Sequence, residues 1–205
     1  MSARPLSSLR VALGRLSAAA LMSLCLGAAL APAAAADDAS TSNIANTANI
    51  AKTSAQAPQV GDLPPDWLGL DRDGRSIRVS QYRGKVVLVV FWAGWCEQCR
   101  RELPQLAALQ AGVGRQRLEI VAINYAEPQR DYDAFLRLNP RLDLTYLRDP
   151  GTVARYYRVR AVPNAFLIDT HGRIAHVQRG YTPEKVERLV RELHALLPPA
   201  PAGRD

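Results

Sequence analysis

The chain has 205 residues, of which 48% are hydrophobic and 22% charged, a composition that fits one globular domain with some additional sequence. Its formal net charge is +7. The basic residues are scattered and mixed with acidic ones, so the charge does not indicate a nucleic-acid-binding protein. Of the three cysteines, Cys96 and Cys99 lie beyond residue 36.

The first 36 residues have the order of a secretory signal. Arg4, Arg10 and Arg15 precede an uncharged stretch rich in Ala and Leu that ends in small residues. We therefore predict a signal peptide over residues 1–36, with an uncleaved membrane anchor as the alternative. Export would place the domain in the periplasm. Residues 37–59, rich in Ala, Ser, Thr and Asn, are predicted to form a flexible linker.

One domain is predicted over residues 60–198, followed by a disordered tail over residues 199–205. Two short apolar pieces around residues 71–74 predict a β-hairpin. Residues 86–90 contain no polar side chain and predict a strand covered on both faces. The later predicted elements are a helix after Cys99, a strand at 118–124, a helix at 128–138, an extended piece at 144–147, a short helix at 150–157, a hairpin at 165–177 and an amphipathic helix at 183–197. This order, β-β-β-α-β-α-α-β-β-α, predicts an α/β fold with helices on both faces of a mixed sheet.

The cysteine pair lies where the buried strand gives way to a helix. This places Cys96 at the helix N-terminus and Cys99 one turn further on. The helix dipole and the unpaired first N–H groups stabilise a thiolate, and the pKa of cysteines in such settings falls from about 8.5 to roughly 3.5–7.5. A disulfide that closes so short a loop adds little stability. The pair therefore indicates a thiol-disulfide oxidoreductase.

The run Trp-Ala-Gly-Trp-Cys-Glu-Gln-Cys-Arg-Arg-Glu-Leu-Pro over residues 92–104, with Val-Pro-Asn at 162–164, resembles the thioredoxin superfamily. Within it, the chain is similar to exported TlpA/ResA-like reductases, whose motif is W-C-x-x-C-[KR]-x-E-x-P. The resemblance covers about residues 60 to 196. It implies a thioredoxin-like fold with an N-terminal β-hairpin extension, Cys96 as the attacking thiol and Cys99 as the resolving thiol. It also implies no cofactor beyond the redox-active Cys96–Cys99 disulfide.

Four further site predictions concern residues near the dithiol. The resemblance implies that Pro163 is cis and that Val162 beside it offers a backbone edge to substrate. Glu102 lies one turn beyond Cys99 and is predicted to accept the thiol proton, with a solvated helix carboxylate as the alternative. Trp95, next to the attacking cysteine, is predicted to form a partner-binding surface.

The direction of electron flow is predicted from the residues between the cysteines. Glu97 carries the wrong charge to stabilise a neighbouring thiolate and Gln98 is neutral, which favours a reductant. The resemblance implies exported clients with cysteine pairs, such as apocytochrome c or copper-site proteins, and a membrane thiol-reductant donor. We expect a monomer that binds no nucleic acid.

The alternative function is a copper-binding chaperone that uses the same cysteine pair. A zinc site fits less well, because no second Cys or His pair has ligand spacing. A peroxidase of the peroxiredoxin type also fits less well, since the Pro- and Thr-rich loop of that class is missing before Cys96.

Overall fold

The computed structural model describes residues 56–200. The predicted signal peptide over residues 1–36, most of the predicted linker over residues 37–59 and most of the predicted tail over residues 199–205 lie outside the described residues. Among the helices described, none is both long enough and apolar enough to cross a membrane.

The described part opens with the predicted β-hairpin. Strand β1 (Trp67–Leu70) pairs antiparallel with β2 (Ser76–Arg78), and a 3-10 helix over Val79–Tyr82 follows. The turn between the strands is closed by hydrogen bonds to Asp71. Gly74 in this turn has a φ of 77°, a conformation that costs glycine nothing because it has no Cβ.

A five-stranded mixed sheet forms the centre of the fold. Its strands lie in the spatial order β5-β4-β3-β6-β7. In chain order they are β3 (Val86–Trp92), β4 (Leu118–Tyr125), β5 (Thr145–Asp149), β6 (Asn164–Ile168) and β7 (Ile174–Arg179). β4 is parallel to β3 and β5 is parallel to β4, whereas β6 is antiparallel to β3 and β7 is antiparallel to β6.

Helices and the hairpin cover the two faces of this sheet. The helices are α1 (Glu97–Val113), α2 (Gln129–Leu138), α3 (Thr152–Tyr156) and α4 (Pro183–Leu196). Successive side chains of β3 alternate between two buried clusters, because neighbouring strand residues point to opposite faces. Side chains of α1, α2 and α4 join one cluster, and those of α3 and β1 join the other. The mixed sheet with helices on both faces and an N-terminal hairpin is confirmed.

One predicted element differs from the structure. The extended piece predicted at residues 144–147 is a full strand, β5, which pairs with β4 at the edge of the sheet. The predicted element order contained no strand at these residues, because a short segment followed by charged residues shows little of the pattern typical of a strand. In addition, Leu138, the last residue of α2, is exposed.

The sheet brings several chain segments to one edge, the one formed by the C-terminal ends of its parallel strands. Because β3, β4 and β5 are parallel, their C-terminal ends lie together, and β6 starts at the same edge. The register pairs Phe91 with Asn164 and Trp92 with Asn124. Three segments therefore meet at this edge: the loop that leads to the cysteines, the loop after β4 and the chain that enters β6.

Candidate active site

Cys96 and Cys99 form a disulfide at the start of α1. Cys96 is the N-cap residue of the helix, with extended backbone angles (φ −82°, ψ 106°). Its Sγ accepts a hydrogen bond from the backbone N–H of Cys99 at 3.1 Å. A helix leaves its first N–H groups without backbone partners, and here one of them points at the sulfur. A thiolate at this position would be stabilised by the same donor.

Both cysteines are buried in the disulfide form. Cys96 exposes 6% of its surface and Cys99 exposes 1%. Cys99 is the more deeply buried of the two. Tertiary packing buries both cysteines, because they belong to the cluster that contains Trp92. By contrast, the side chain just before Cys96 is open to solvent, since Trp95 is 64% exposed.

Glu102 is a buried carboxyl group on the helix that carries the cysteines. Burial raises its pKa to about 7, and a hydrogen bond from Gln178 opposes this shift. The donor is the Nε2 of Gln178, 3.3 Å from Glu102 Oε1. The alternative that Glu102 is a solvated helix carboxylate is therefore wrong. One turn separates it from Cys99 along the same side of the helix.

The peptide bond between Val162 and Pro163 is cis, as the resemblance implied. Pro163 directly precedes β6, whose first residue pairs with Phe91 of β3. Val162 packs against the cluster that contains both cysteines. The carbonyl of Pro163 accepts a hydrogen bond from the N–H of Gly180 at 2.9 Å, which ties this turn to the end of β7. The fold thus brings the predicted residues Val162 and Pro163 to the edge where the dithiol lies.

Glu127 is a site residue that the sequence analysis missed. Both of its carboxylate oxygens accept a hydrogen bond from the backbone N–H of Gly94, each at 3.1 Å. Asn124 Nδ2 donates to Glu127 Oε2 at 2.6 Å. Glu127 is buried, and it holds the loop two residues before Cys96. Its only signal in the sequence is a pair of polar residues three positions apart at the C-terminal end of a buried parallel strand, where sites in α/β folds gather.

Asp149 at the end of β5 was also missed. Its buried carboxylate accepts hydrogen bonds from three backbone N–H groups at the start of α3, those of Thr152 (2.7 Å), Val153 (3.0 Å) and Ala154 (2.7 Å). α3 is only five residues long, so these bonds fix its position. The chain then continues from α3 to the turn that contains Pro163.

The charge next to Cys96 is partly compensated. Glu97 forms an ion pair with Arg101 one turn along α1, and both side chains are largely exposed. Exposed pairs of this kind contribute little free energy because water screens them. The carboxylate remains beside the dithiol, but its effect is weaker than that of an unpaired charge. Within residues 56–200, no group of three or more His, Cys, Asp and Glu side chains is arranged to hold a metal ion.

A disulfide spanning two residues at the start of a helix, on a mixed sheet with this strand order, defines the class as a thioredoxin-like thiol-disulfide oxidoreductase. The comparisons agree with this class. Residues 60–177 match the AhpC/TSA family, and the chain belongs to that family.

Individual relatives are similar over more than half of the chain. The thiol-disulfide oxidoreductase ResA of Geobacillus kaustophilus is 35% identical over 138 residues, covering 65% of this chain and 78% of the relative. ResA of Geobacillus thermodenitrificans is 35% identical over 124 residues, covering 59% of this chain and 70% of that protein. A solved structure assigned as the thiol:disulfide interchange protein DsbE of Chlorobium tepidum has a TM-score of 0.63 and 32% identity, covering 68% of this chain and 99% of that one.

Proposed function

We propose that this thiol-disulfide oxidoreductase reduces disulfides in exported client proteins through Cys96 and Cys99. The observation that carries the proposal is the cysteine pair at the N-terminus of α1, with the buried carboxyl of Glu102 one turn further along the helix. This arrangement offers one sulfur stabilised as a thiolate and a group of raised pKa that can exchange a proton with the second sulfur. Clients such as apocytochrome c or copper-site proteins fit the family resemblance.

The reaction proceeds in two exchanges. The thiolate of Cys96 attacks a client disulfide, forming a mixed disulfide and releasing one client thiolate. Glu102 then takes the proton from the Cys99 thiol, and the resulting thiolate attacks Cys96 Sγ. The bond between Cys96 and the client breaks and the second client sulfur leaves as a thiolate. The two client thiolates take up protons from water to give a dithiol, and the chain retains the Cys96–Cys99 disulfide. A membrane thiol donor supplies the two electrons that restore the dithiol.

The reducing direction is supported by the charge next to the attacking sulfur. A carboxylate at Glu97 disfavours the Cys96 thiolate, and strong oxidants of this fold depend on a stabilised reduced form. Replacing Glu97 with His should therefore make the protein more oxidising. Equilibration with glutathione buffers measures the potential. A wild-type value near that of the strong oxidants, about −120 mV, would indicate disulfide insertion instead.

The client surface is proposed to include Trp95, Val162 and Pro163. Trp95 presents its ring to solvent, whereas Val162 is half-buried against the cysteine cluster. An exposed aromatic ring next to a reactive sulfur provides apolar contact area for a partner. Together these residues would hold an extended client segment beside the dithiol.

Export to the periplasm is also proposed, from the sequence pattern of residues 1–36. N-terminal sequencing of the protein from the periplasmic fraction should find a chain that begins near Asp37. Recovery of the form that starts at Met1 in the membrane fraction would favour the anchor, with residues 37–59 acting as a tether.

The central experiment traps the client. In the Cys99→Ser variant, Cys96 should attack the client but the mixed disulfide cannot be resolved, so a covalent complex sensitive to reductant should accumulate. The matched control is Cys96→Ser, which should trap far less. Equal trapping by both variants would overturn the assignment of roles. Tight Cu(I) binding by the reduced wild type without turnover of protein disulfides would favour the copper-chaperone alternative.

A further inference from the structure

Gln178 links the edge strand of the sheet to the helix that carries the cysteines. It lies on β7, pairs with Ala165 of β6, and is buried. Its side chain reaches across 76 positions of sequence to donate from Nε2 to Glu102 Oε1 at 3.3 Å. The mechanism described above uses Glu102 but assigns no role to Gln178.

Each of these two side chains has one oxygen without a partner. Glu102 Oε2 and Gln178 Oε1 are both buried and make no hydrogen bond within the described structure. Buried polar atoms without partners are costly, so such a pair calls for an explanation. A protonated carboxyl and an amide are complementary, because the acid O–H can donate to the amide oxygen while the amide N–H donates to the acid carbonyl. The contact from Gln178 Nε2 to Glu102 Oε1 at 3.3 Å is one of the two bonds of such a pair, and a bond from protonated Oε2 to Gln178 Oε1 would complete it.

Charged groups lie on the elements around Glu102. On α1, Cys99 lies one turn before it, and the neighbouring Arg100 and Arg101 are exposed. β7 presents Gln178 and, two residues earlier on the same face, His176. α4 packs Leu189 and Leu193 into this cluster, and its Lys185 and Arg188 line a pocket beside His176 and Gln178. Within residues 56–200 Glu102 forms no ion pair.

We propose that Gln178 is a positioning residue that provides Glu102 with a hydrogen-bond partner in both of its protonation states. The inference rests on the proposed function, in which Glu102 takes the proton of Cys99. A cation at position 178 would hold the carboxylate ionised, and an apolar side chain would leave it without a donor. A neutral amide donates to the carboxylate and accepts from the acid.

The amide thus allows the proton to be stored and returned. When Cys99 attacks the mixed disulfide, its proton moves to Glu102, and the new acid donates to Gln178 Oε1. When a donor thiolate attacks Cys96 Sγ, a mixed disulfide with the donor forms, the Cys96–Cys99 bond breaks, and Cys99 leaves as a thiolate and recovers that proton. The second donor thiolate then attacks the donor sulfur of the mixed disulfide and releases Cys96. No other oxidant or reductant is needed, because the electrons pass only between the sulfurs.

The test follows the resolving step with 5,5′-dithiobis(2-nitrobenzoic acid) as the disulfide. Reduced protein releases a first coloured thiolate when Cys96 attacks and a second when Cys99 resolves the mixed disulfide, so stopped-flow absorbance separates the two steps. The Gln178→Leu variant loses a bond to the charged carboxylate and a bond from the neutral acid. Because the bond to the charged form is the stronger, the pKa of Glu102 should rise and the pH profile of the second step should move upward by about one unit. With a midpoint near 7, that shift makes the second step about fivefold slower at pH 7.

Three controls keep the result interpretable. The rate of the first step should be unchanged, because Gln178 is bonded to Glu102, which takes no part in the attack by Cys96. The His176→Gln variant should leave the pH profile of the second step unchanged. Gln178→Met serves as a second apolar variant if the Leu variant folds poorly. A second step that is slowed by the same factor at every pH, or not slowed at all, would overturn the proposal.

Infrared spectroscopy of the disulfide form gives an independent readout that needs no client. Wild-type protein at pH 5 should show a protonated carboxyl band that is absent in Glu102→Gln and displaced in Gln178→Leu. A band at the same frequency in wild type and Gln178→Leu would contradict the acid–amide pair. Failure of the Cys99→Ser variant to trap a client would instead count against the proposed function, so the two failures are distinguishable.

Discussion

The backbone N–H of Gly94 donates to both carboxylate oxygens of Glu127, each at 3.1 Å, across 33 positions of sequence. This contact joins the loop before Cys96 to the segment that follows β4. Space is also limited here, since a Cβ added at position 94 would lie 2.9 Å from Glu127 Oε1. The attacking cysteine is thus held at the helix N-terminus by a buried carboxylate as well as by its own helix.

Replacing Glu127 with Gln should destabilise the protein by about 1–3 kcal/mol, the usual cost of leaving buried polar groups badly paired. An amide in that place puts an NH₂ group against the N–H of Gly94 or the amide of Asn124, and two donors cannot bond each other. Urea denaturation of the disulfide form measures the change. The matched control is Glu97→Gln, an exposed carboxylate whose loss should change stability by less than about 1 kcal/mol. Similar losses in the two variants would contradict this account.

Glu102 should make the stability of the disulfide form depend on pH. Its pKa rises from 4.5 to about 7 on folding, so between these values the folded protein binds more protons than the unfolded chain. Stability is therefore greatest below about pH 4.5 with respect to this group, falls as the pH rises to 7, and is then constant. The free energy of unfolding falls by about 3 kcal/mol in total, because each whole number by which the folded and unfolded pKa values differ corresponds to about 1.36 kcal/mol.

The variant Glu102→Gln removes this titration. It should be more stable than wild type at pH 8 and nearly equal to it at pH 4.5. Thermal or urea denaturation at several pH values tests this, with Glu97→Gln as the control for general charge effects. A stability difference that does not change between pH 4.5 and 8 would show that Glu102 does not carry the shift.

Removal of the Asp149 carboxylate should loosen α3 and the turn it leads into. Asp149→Ala leaves three backbone N–H groups without their acceptor and should cost about 1–3 kcal/mol, while Asp149→Asn retains one acceptor oxygen and should cost less. Asp143, which is exposed and pairs with Arg115, provides the control, since Asp143→Ala should cost less than about 1 kcal/mol. Equal destabilisation by Asp149→Ala and Asp143→Ala would argue against the capping role.

Trp92 and Trp95 are the same residue type in opposite environments. Trp92 has no exposed surface, and its ring centroid lies 4.4 Å from that of Phe135. Trp95, by contrast, is 64% exposed. Trp92→Ala should cost about 3–5 kcal/mol, with Trp92→Phe as the milder variant if the first does not fold. Trp95→Ala should change stability by less than about 0.5 kcal/mol.

The two tryptophans should also differ in their effect on activity, with Trp95 the one that matters for client reduction. If Trp95 contacts clients, Trp95→Ala should slow reduction of a protein disulfide while leaving the reaction with a small aromatic disulfide almost unchanged. Equal rates for wild type and Trp95→Ala with a protein substrate would remove this residue from the client surface.

Features that depend on neighbouring residues could be predicted from the sequence. The turn around residues 71–74, the apolar run at 86–90 and the placement of Cys96 at a helix start follow from local rules of periodicity and turn chemistry. The spacing of the cysteines indicated redox chemistry for the same reason, because a bridge over two residues is a local property of the chain. The cis bond before Pro163 was implied by the family resemblance.

Only the tertiary structure decided which distant groups meet. Gly94 and Glu127 are 33 positions apart, and Glu102 and Gln178 are 76 apart, so neither pair leaves a local pattern. Strand register brings the first pair to one edge of the sheet, and packing of α1 against β7 joins the second. Tertiary packing also buries Cys96 in the disulfide form. β5 is a strand because pairing with β4 supplies hydrogen bonds that this short segment cannot provide alone.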